Sequence, residues 1–327
     1  MSFLARPATA ALAARALQRV TALADRRIAS SLLSRYPEYP RNTRELTVPT
    51  SVGPARVVVY LPDGAVGTTH AAGTAPPVHV NFHGGGYVLP TIELDDPLCR
   101  FLAAEAGVAV VNVDYVVAPQ HPFPAPPVQA YEIVRWVAGH GAEHGWDGGR
   151  LTVGGQSAGG GLAAAVARQA LEGKRSGGAP SIALQVLHYP PLDLVTDARD
   201  KRAAIAKPML RPWMADVFDS SYVPDPRRRT DPLVSPAHPS DTADLTGIAP
   251  AFVVTAEYDL LRAEGVRYAE RLRGAGALLD HYDVPGADHG YDQKDAETAR
   301  DVYALIAAHI RRATTPEPGN TPRENQS

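Results

Sequence analysis

Cysteine is almost absent from this sequence, because Cys99 is the single one among 327 residues. One cysteine excludes an intrachain disulfide and a metal site built from several thiolates. The zinc-hydrolase signature H-E-x-x-H does not occur either, which disfavours a zinc-dependent hydrolase.

The sequence also lacks a strong excess of one charge and a long hydrophobic run. Its net charge of −3 provides no electrostatic footprint for nucleic acid or an anionic membrane. The most apolar stretch, Val108–Val117, contains an asparagine and an aspartate, so we expect no membrane span. Arginines interrupt the weakly apolar N-terminus at Arg6, Arg15 and Arg19. This pattern favours an amphipathic helix over a signal peptide, and we expect a cytoplasmic protein.

Predicted strands alternate with predicted helices along most of the chain. Apolar or β-branched runs predict eight strands, near residues 44–49, 56–61, 78–82, 108–113, 151–153, 182–187, 251–255 and 278–284. This alternation is typical of an α/β fold with a mostly parallel sheet and helices on both faces.

Two segments fall outside the alternation, residues 1–40 and about 196–240. We expect both to form a helical lid over the carboxyl edge of the sheet, where open α/β sheets bind ligands. The catalytic domain then spans residues 41–312 and carries the second segment as an insertion. The polar tail, residues 313–327, is predicted to be disordered.

One serine stands at the junction of a predicted strand and a predicted helix. Ser157 lies in G-x-S-x-G, between Gly155 and Gly159. A sharp strand-to-helix turn strains the serine backbone and leaves no room for side chains two positions away. The turn exposes the hydroxyl at the positive end of a helix. A glycine-rich helix start that binds phosphate, or simply packs closely, is the alternative interpretation.

A carboxylate and a histidine follow later strands in the order of a serine hydrolase. Asp259 comes after the strand at 251–255, and His289 comes after the last strand. Glu257 is the alternative acid, whereas Asp288 is a poor partner because sequence neighbours in an extended loop point apart. Taken singly, Asp259 could cap a helix and His289 could be a surface histidine. Their joint order with Ser157 favours a catalytic triad.

Upstream, a run of glycines follows the strand at 78–82. In His83–Gly86, backbone amides are not shielded by side chains, as an oxyanion hole requires. A plain turn is the alternative interpretation of this run taken alone.

The motifs together resemble the bacterial hormone-sensitive-lipase-like family of α/β-hydrolase esterases. The resemblance covers about residues 40–312. The shared motifs are His83–Val88, Val113–Tyr115 with Ala118–Pro119 and His121–Pro124, Gly155–Gly160, and Glu257–Gly265.

The resemblance implies an α/β-hydrolase fold and a role for each motif residue. Ser157 is implied as the nucleophile, Asp259 as the acid and His289 as the base. The implied oxyanion-hole amides are those of Gly85, Gly86 and Ala158. The family also builds its lid from N-terminal helices and an insertion after the sixth strand, which match the two segments noted above.

Some positions depart from the usual family pattern. Gln156 stands where an acidic or small residue is usual, Gly161 where asparagine is common, and Val116 and Gln120 where an arginine and a glutamate are usual. The implied triad is unaffected by these changes, whereas inherited details of substrate preference and pH dependence are put in doubt.

We therefore expect a serine carboxylic ester hydrolase that cleaves short- to medium-chain acyl esters and needs no metal or organic cofactor. The predicted substrate contacts are Tyr87, Trp213, Met214 and Phe218. An amidase or acyltransferase with the same triad is an alternative, as is a non-catalytic small-molecule receptor on this fold. We expect a small-molecule ester as partner, no nucleic acid, and a monomer or homodimer.

Overall fold

A single eight-stranded sheet organises the computed structural model, which describes residues 3–62 and 75–315. Its strands are β1 (Thr43–Val48), β2 (Ala55–Tyr60), β3 (Pro77–Phe82), β4 (Ala109–Asp114), β5 (Asp147–Gln156), β6 (Ile182–His188), β7 (Ala251–Ala256) and β8 (Leu278–Val284). The strand order is β1-β2-β4-β3-β5-β6-β7-β8. β2 pairs antiparallel with β1 and β4, and the other pairs are parallel. The predicted eight-stranded, mostly parallel sheet is confirmed.

Eight α-helices accompany the sheet in the described ranges. They are α1 (Pro7–Leu33), α2 (Asp96–Ala106), α3 (Ala125–Gly139), α4 (Gly141–His144), α5 (Ala158–Ser176), α6 (Pro212–Tyr222), α7 (Arg262–Gly274) and α8 (Ala296–Thr314). Short 3-10 turns lie at Phe3–Ala5, Ile92–Asp95, Pro226–Thr230 and Tyr291–Gln293.

Helices cover both faces of the sheet, and each face has its own hydrophobic core. Along β2, Val57 and Val59 contribute to the core that includes α3 and α5. Val58 and Tyr60 contribute to the core that includes α2 and α8. Successive side chains of a strand point to opposite faces. With both faces covered, the strands are apolar almost throughout, which is why they could be recognised in the sequence.

Two elements extend beyond their predicted bounds. β5 begins at Asp147, whose N–H donates to the carbonyl oxygen of Pro76 at 2.8 Å. Residues 147–150 are polar or glycine, so no apolar pattern revealed this start. α8 continues to Thr314, two residues into the segment predicted as a disordered tail. The rest of that tail from residue 316, and residues 63–74 between β2 and β3, lie outside the described residues.

The two segments predicted to form a lid pack against each other, through α1 and α6. We call α1 together with residues 196–240 the cap. The Gln18 side-chain amide of α1 donates to the carbonyl oxygens of Val88 at 2.7 Å and Ala118 at 3.0 Å. In the second segment, the backbone N–H of Met209 donates to the Asp288 carboxylate at 2.6 Å. These bonds fix the cap to loops at the carboxyl edge of the sheet.

The contact between α5 and β3 makes a testable prediction. A Cβ on Gly159 would overlap the carbonyl oxygen of Phe82 at the end of β3. Backbone atoms cannot move aside cheaply, so Gly159→Ala should lower the free energy of unfolding by about 3 kcal/mol or more. Urea denaturation measures this loss.

Gly139 provides the matched control, because it also lies in a helix but has open space around its Cβ position. Gly139→Ala should change the free energy of unfolding by no more than about 0.5 kcal/mol. Equal stability of the two variants would contradict the close approach of α5 to β3.

Candidate active site

Ser157 lies between the end of β5 and the start of α5 with an unusual backbone conformation. Its φ is +51° and its ψ is −120°, a region that residues with a side chain rarely adopt. The Ser157 N–H donates to the carbonyl oxygen of His188 at 2.9 Å, which fixes the turn to β6. The predicted strand–turn–helix context of G-x-S-x-G is therefore present.

His289 contacts Ser157 and Asp259 through its two ring nitrogens. Its Nε2 lies 2.9 Å from Ser157 Oγ, and its Nδ1 lies 2.7 Å from Asp259 Oδ2. Asp259 and His289 are both buried. The carboxylate assigns the proton to Nδ1, so Nε2 is left to accept the serine hydroxyl.

The two competing carboxylates are engaged elsewhere. Glu257 is exposed and accepts the backbone N–H of Gly286 at 2.6 Å. Asp288 accepts the backbone N–H of Met209, in the cap. Asp259 is thus the carboxylate that contacts His289, whereas Glu257 bonds the chain just after β8, three residues before His289.

Asp259 controls the electrostatics of His289. Burial alone would lower the pKa of His289, because a buried imidazolium loses its hydration. The charge and the hydrogen bond of Asp259, together with the charges of Asp292 and Asp288, outweigh that effect, so the pKa of His289 is raised above its ordinary value. The site therefore stabilises the protonated imidazole that forms when His289 takes a proton.

Three backbone amides near Ser157 have no acceptor among the described residues. These are the N–H groups of Gly85, Gly86 and Ala158. Gly85 and Gly86 have φ values of +109° and +62°, and a Cβ on Gly86 would lie 2.6 Å from the Phe218 ring. Ala158 begins α5, where the first N–H groups of a helix are unpaired. The three amides predicted for an oxyanion hole thus lie around Ser157, two in the loop after β3 and one at the start of α5, and are free to donate.

A buried polar network lies behind His289. The Asp292 carboxylate accepts the hydroxyl of Tyr189 at 2.6 Å and that of Tyr303 at 2.9 Å. The Tyr189 ring is 4.8 Å from the His289 imidazole. Gln156 joins the same two tyrosines, accepting from Tyr189 at 3.3 Å and donating to Tyr303 at 3.4 Å.

This network explains what Gln156 contacts and adds a residue that the sequence analysis missed. The Gln156 amide bonds tyrosine hydroxyls rather than backbone groups. Asp292 was not singled out, although a carboxylate three residues after His289 was a signal worth noting. The charge of Asp292 also acts to raise the pKa of His289.

A cavity of about 230 Å³ opens beside Ser157 and His289. Of the predicted substrate contacts, Tyr87, Met214 and Phe218 line it. Trp213 does not line it and is 46% exposed, which corrects the prediction for this residue. Met214 and Phe218 lie four residues apart and so share one face of α6, whereas Trp213 lies on a different face.

Among the described residues, no three His, Cys, Asp or Glu side chains are grouped so that they could hold a metal ion. No helix in the described ranges is long and apolar enough to cross a membrane.

Comparison with known proteins places this geometry in a family. Residues 79–293 match the family described as the alpha/beta hydrolase fold. The chain belongs to this family. The resemblance seen in the sequence motifs is thereby confirmed.

Several relatives of this α/β hydrolase are named as esterases. It is 34% identical to Esterase LipI of Mycobacterium tuberculosis over 79% of this chain and 78% of the relative. It is 38% identical to Carboxylesterase NlhH of the same species over 66% of each chain. A solved hyperthermophilic esterase from Pyrobaculum calidifontis has a TM-score of 0.78 and 33% identity, with 91% of each chain covered.

The contacts of His289 predict how it titrates. In NMR, the pKa of His289 should lie above the ordinary value of about 6.5. Asp259→Asn should lower it below that value, because burial then acts without the compensating carboxylate. Gln156→Glu should raise the pKa of His289. The new carboxylate would add a negative charge beside the Asp292 network, and a nearby negative charge stabilises the protonated imidazole.

His79 serves as the internal control, since burial alone lowers its pKa to about 3. Its titration should be the same in all three proteins. A pKa of His289 that does not respond to Asp259→Asn would contradict the electrostatic role given to Asp259.

Proposed function

We propose that this protein is a serine carboxylic ester hydrolase. The observation that carries the proposal is the position of His289, with Nε2 at 2.9 Å from Ser157 Oγ and Nδ1 at 2.7 Å from Asp259. The free amides of Gly85, Gly86 and Ala158 nearby give further support. Relatives named as esterases and carboxylesterases support the choice of an ester bond.

In the first half of the proposed reaction, Ser157 Oγ attacks the carbonyl carbon of the ester. His289 Nε2 takes the serine proton as the new C–O bond forms. The developing oxyanion accepts hydrogen bonds from the three amides, which need no reorganisation because nothing else occupies them. His289 then gives its proton to the leaving alcohol, and an acyl-enzyme remains on Ser157.

In the second half, water repeats the cycle on the acyl-enzyme. His289 takes a proton from the water, and the hydroxide attacks the acyl carbonyl carbon. The tetrahedral intermediate collapses to release the carboxylic acid and returns the proton to Ser157. Asp259 is not itself protonated in this proposal. It holds the imidazole in the required tautomer and stabilises the imidazolium formed in each half.

The roles assigned to Ser157, His289 and Asp259 predict an order of losses on mutation. Ser157→Ala and His289→Ala should each lower kcat for p-nitrophenyl butyrate by roughly 10⁴-fold or more. The double variant should lose little beyond either single one, because the two residues act as a unit. Asp259→Asn should lose less than either. Steady-state hydrolysis, with circular dichroism to verify folding, measures each loss.

Glu257→Gln is the matched control, since its carboxylate follows the same strand but bonds Gly286. It should retain near-wild-type kcat, and a larger loss than in Asp259→Asn would move the acid to Glu257. A rapid burst of p-nitrophenol in the wild type distinguishes an enzyme from a receptor on this fold. Near-wild-type turnover by folded Ser157→Ala would overturn the mechanism.

We also propose that short- to medium-chain acyl esters are preferred. The cavity of about 230 Å³ is small beside the roughly 300–1,000 Å³ of typical ligand pockets. Among p-nitrophenyl esters from acetate to palmitate, kcat/KM should peak at short or medium chains. Met214→Ala, which removes a side chain lining the cavity, should shift the peak toward longer chains.

Trp213→Ala is the control for this shift, because Trp213 precedes Met214 on α6 but does not line the cavity. It should leave the chain-length profile unchanged. Faster turnover on long-chain emulsions than on dissolved short esters would contradict the preference.

A further inference from the structure

The cavity beside Ser157 is mainly apolar on its cap side but also contains two side chains of opposite charge. Apolar side chains from the cap, including Leu210, Met214 and Phe218, form much of this wall. Asp219 and Lys201 line the same cavity. Asp219 follows Phe218 on α6, and Lys201 lies in the cap segment between β6 and α6. The proposed hydrolysis of an ester requires neither of them.

Lys201 is charged and only partly satisfied. Its Nζ lies 2.6 Å from the Glu264 carboxylate and donates to the carbonyl oxygen of Asp193 at 2.7 Å. Burial would lower the pKa of Lys201, but the charges of Glu264, Asp219 and Asp193 together outweigh it and the pKa is raised. A lysine ammonium has three N–H donors. The contacts with Glu264 and Asp193 use two of them, no described residue accepts the third, and Lys201 lines the cavity.

Asp219 has no partner for its carboxylate among the described residues. It accepts no hydrogen bond there and has no cation within 4.0 Å. The neighbouring buried carboxylate of Glu264, in contrast, accepts the backbone N–H of Leu192 at 2.7 Å and pairs with Lys201. Burial raises the pKa of Asp219 to about 6, with the charges of Lys201 and Arg229 limiting the rise. The charge of Lys201 thus favours the ionised form of the Asp219 carboxylate.

An ionised carboxylate that faces an apolar cavity makes it costly to fill that cavity with a plain alkyl group. The alkyl group would displace water from Asp219 without offering a donor in return. Sites with buried polar groups reject analogues that lack the matching hydroxyl far more strongly than apolar pockets reject an extra methylene. A group that both donates and accepts would satisfy Asp219 and Lys201 together.

We propose that the Asp219–Lys201 pair binds a hydroxyl group of the substrate, so that the preferred substrates are hydroxyl-bearing esters. The hydroxyl donates to the Asp219 carboxylate and accepts from Lys201 Nζ. A substrate ammonium would be repelled by Lys201, and a substrate carboxylate by Asp219. This inference rests on the proposed ester hydrolase function and adds the chemical class of its substrate.

Matched ester pairs test the inference in the full-length protein. Ethyl hexanoate is compared with ethyl ω-hydroxyhexanoate, and pentyl acetate with ω-hydroxypentyl acetate, by pH-stat. The hydroxyl is thus on the acyl side in one pair and on the alcohol side in the other. In at least one pair, the hydroxy ester should have a kcat/KM about tenfold or more above that of its alkyl analogue. A hydrogen bond to a charged group is strong enough to produce a difference of this size.

Two variants of Asp219 should reduce the ratio of kcat/KM for the hydroxy ester to kcat/KM for its alkyl analogue. Asp219→Asn keeps the shape but removes the charge, so the ratio should fall severalfold, and Asp219→Leu should abolish or reverse the preference. Asp216→Asn is the matched control on the same helix, because Asp216 pairs with Arg199 at 3.1 Å and does not line the cavity. Its ratio should stay at the wild-type value, and thermal melting verifies that each variant is folded.

The outcomes separate this inference from the function on which it rests. Hydrolysis of both members of each pair at equal kcat/KM by the wild type overturns the inference and leaves the ester hydrolase in place. A wild-type preference that survives Asp219→Leu also overturns it. No hydrolysis of any of the four esters overturns the proposed function, and the inference falls with it.

Discussion

The close approach of the Ser157 turn to the end of β3 is the constraint on which the rest of the site depends. Gly159 leaves no space for a side chain beside the carbonyl oxygen of Phe82, so α5 begins directly against the loop that carries Gly85 and Gly86. Ser157, two residues before Gly159 in the same turn, has a positive φ. One tight contact therefore positions both the hydroxyl and the amides that our proposal assigns to the oxyanion.

The opposite side of Ser157 is organised by a charge rather than by close packing. His289 is buried, and its protonated form is stabilised by Asp259. Behind it, Tyr189 and Tyr303 satisfy the Asp292 carboxylate, so this buried charge has its hydrogen bonds. A fully bonded network of this kind is rigid. It restrains the region around His289 while Ser157 is held from the side of β3.

The cap connects these two halves to a substrate cavity. Gln18 of α1 donates to Val88 and Ala118, in the loops after β3 and β4. The backbone N–H of Met209 donates to the Asp288 carboxylate, next to His289. Because the cap is fixed to these loops, residues of α6 face the cavity in a defined orientation. That orientation brings Phe218 against Gly86 and Asp219 to the cavity wall.

Local patterns in the sequence were enough to predict the eight strands, the strained serine turn and the order of Ser157, Asp259 and His289. Each depends on periodicity, on glycines or on the ends of parallel strands, all of which are local signals. Only the tertiary structure decided that Asp259 rather than Glu257 contacts His289, that Trp213 faces away from the cavity, and that Asp292 lies behind the imidazole. These outcomes depend on how loops turn and how helix faces are oriented by distant packing, so local periodicity could not determine them.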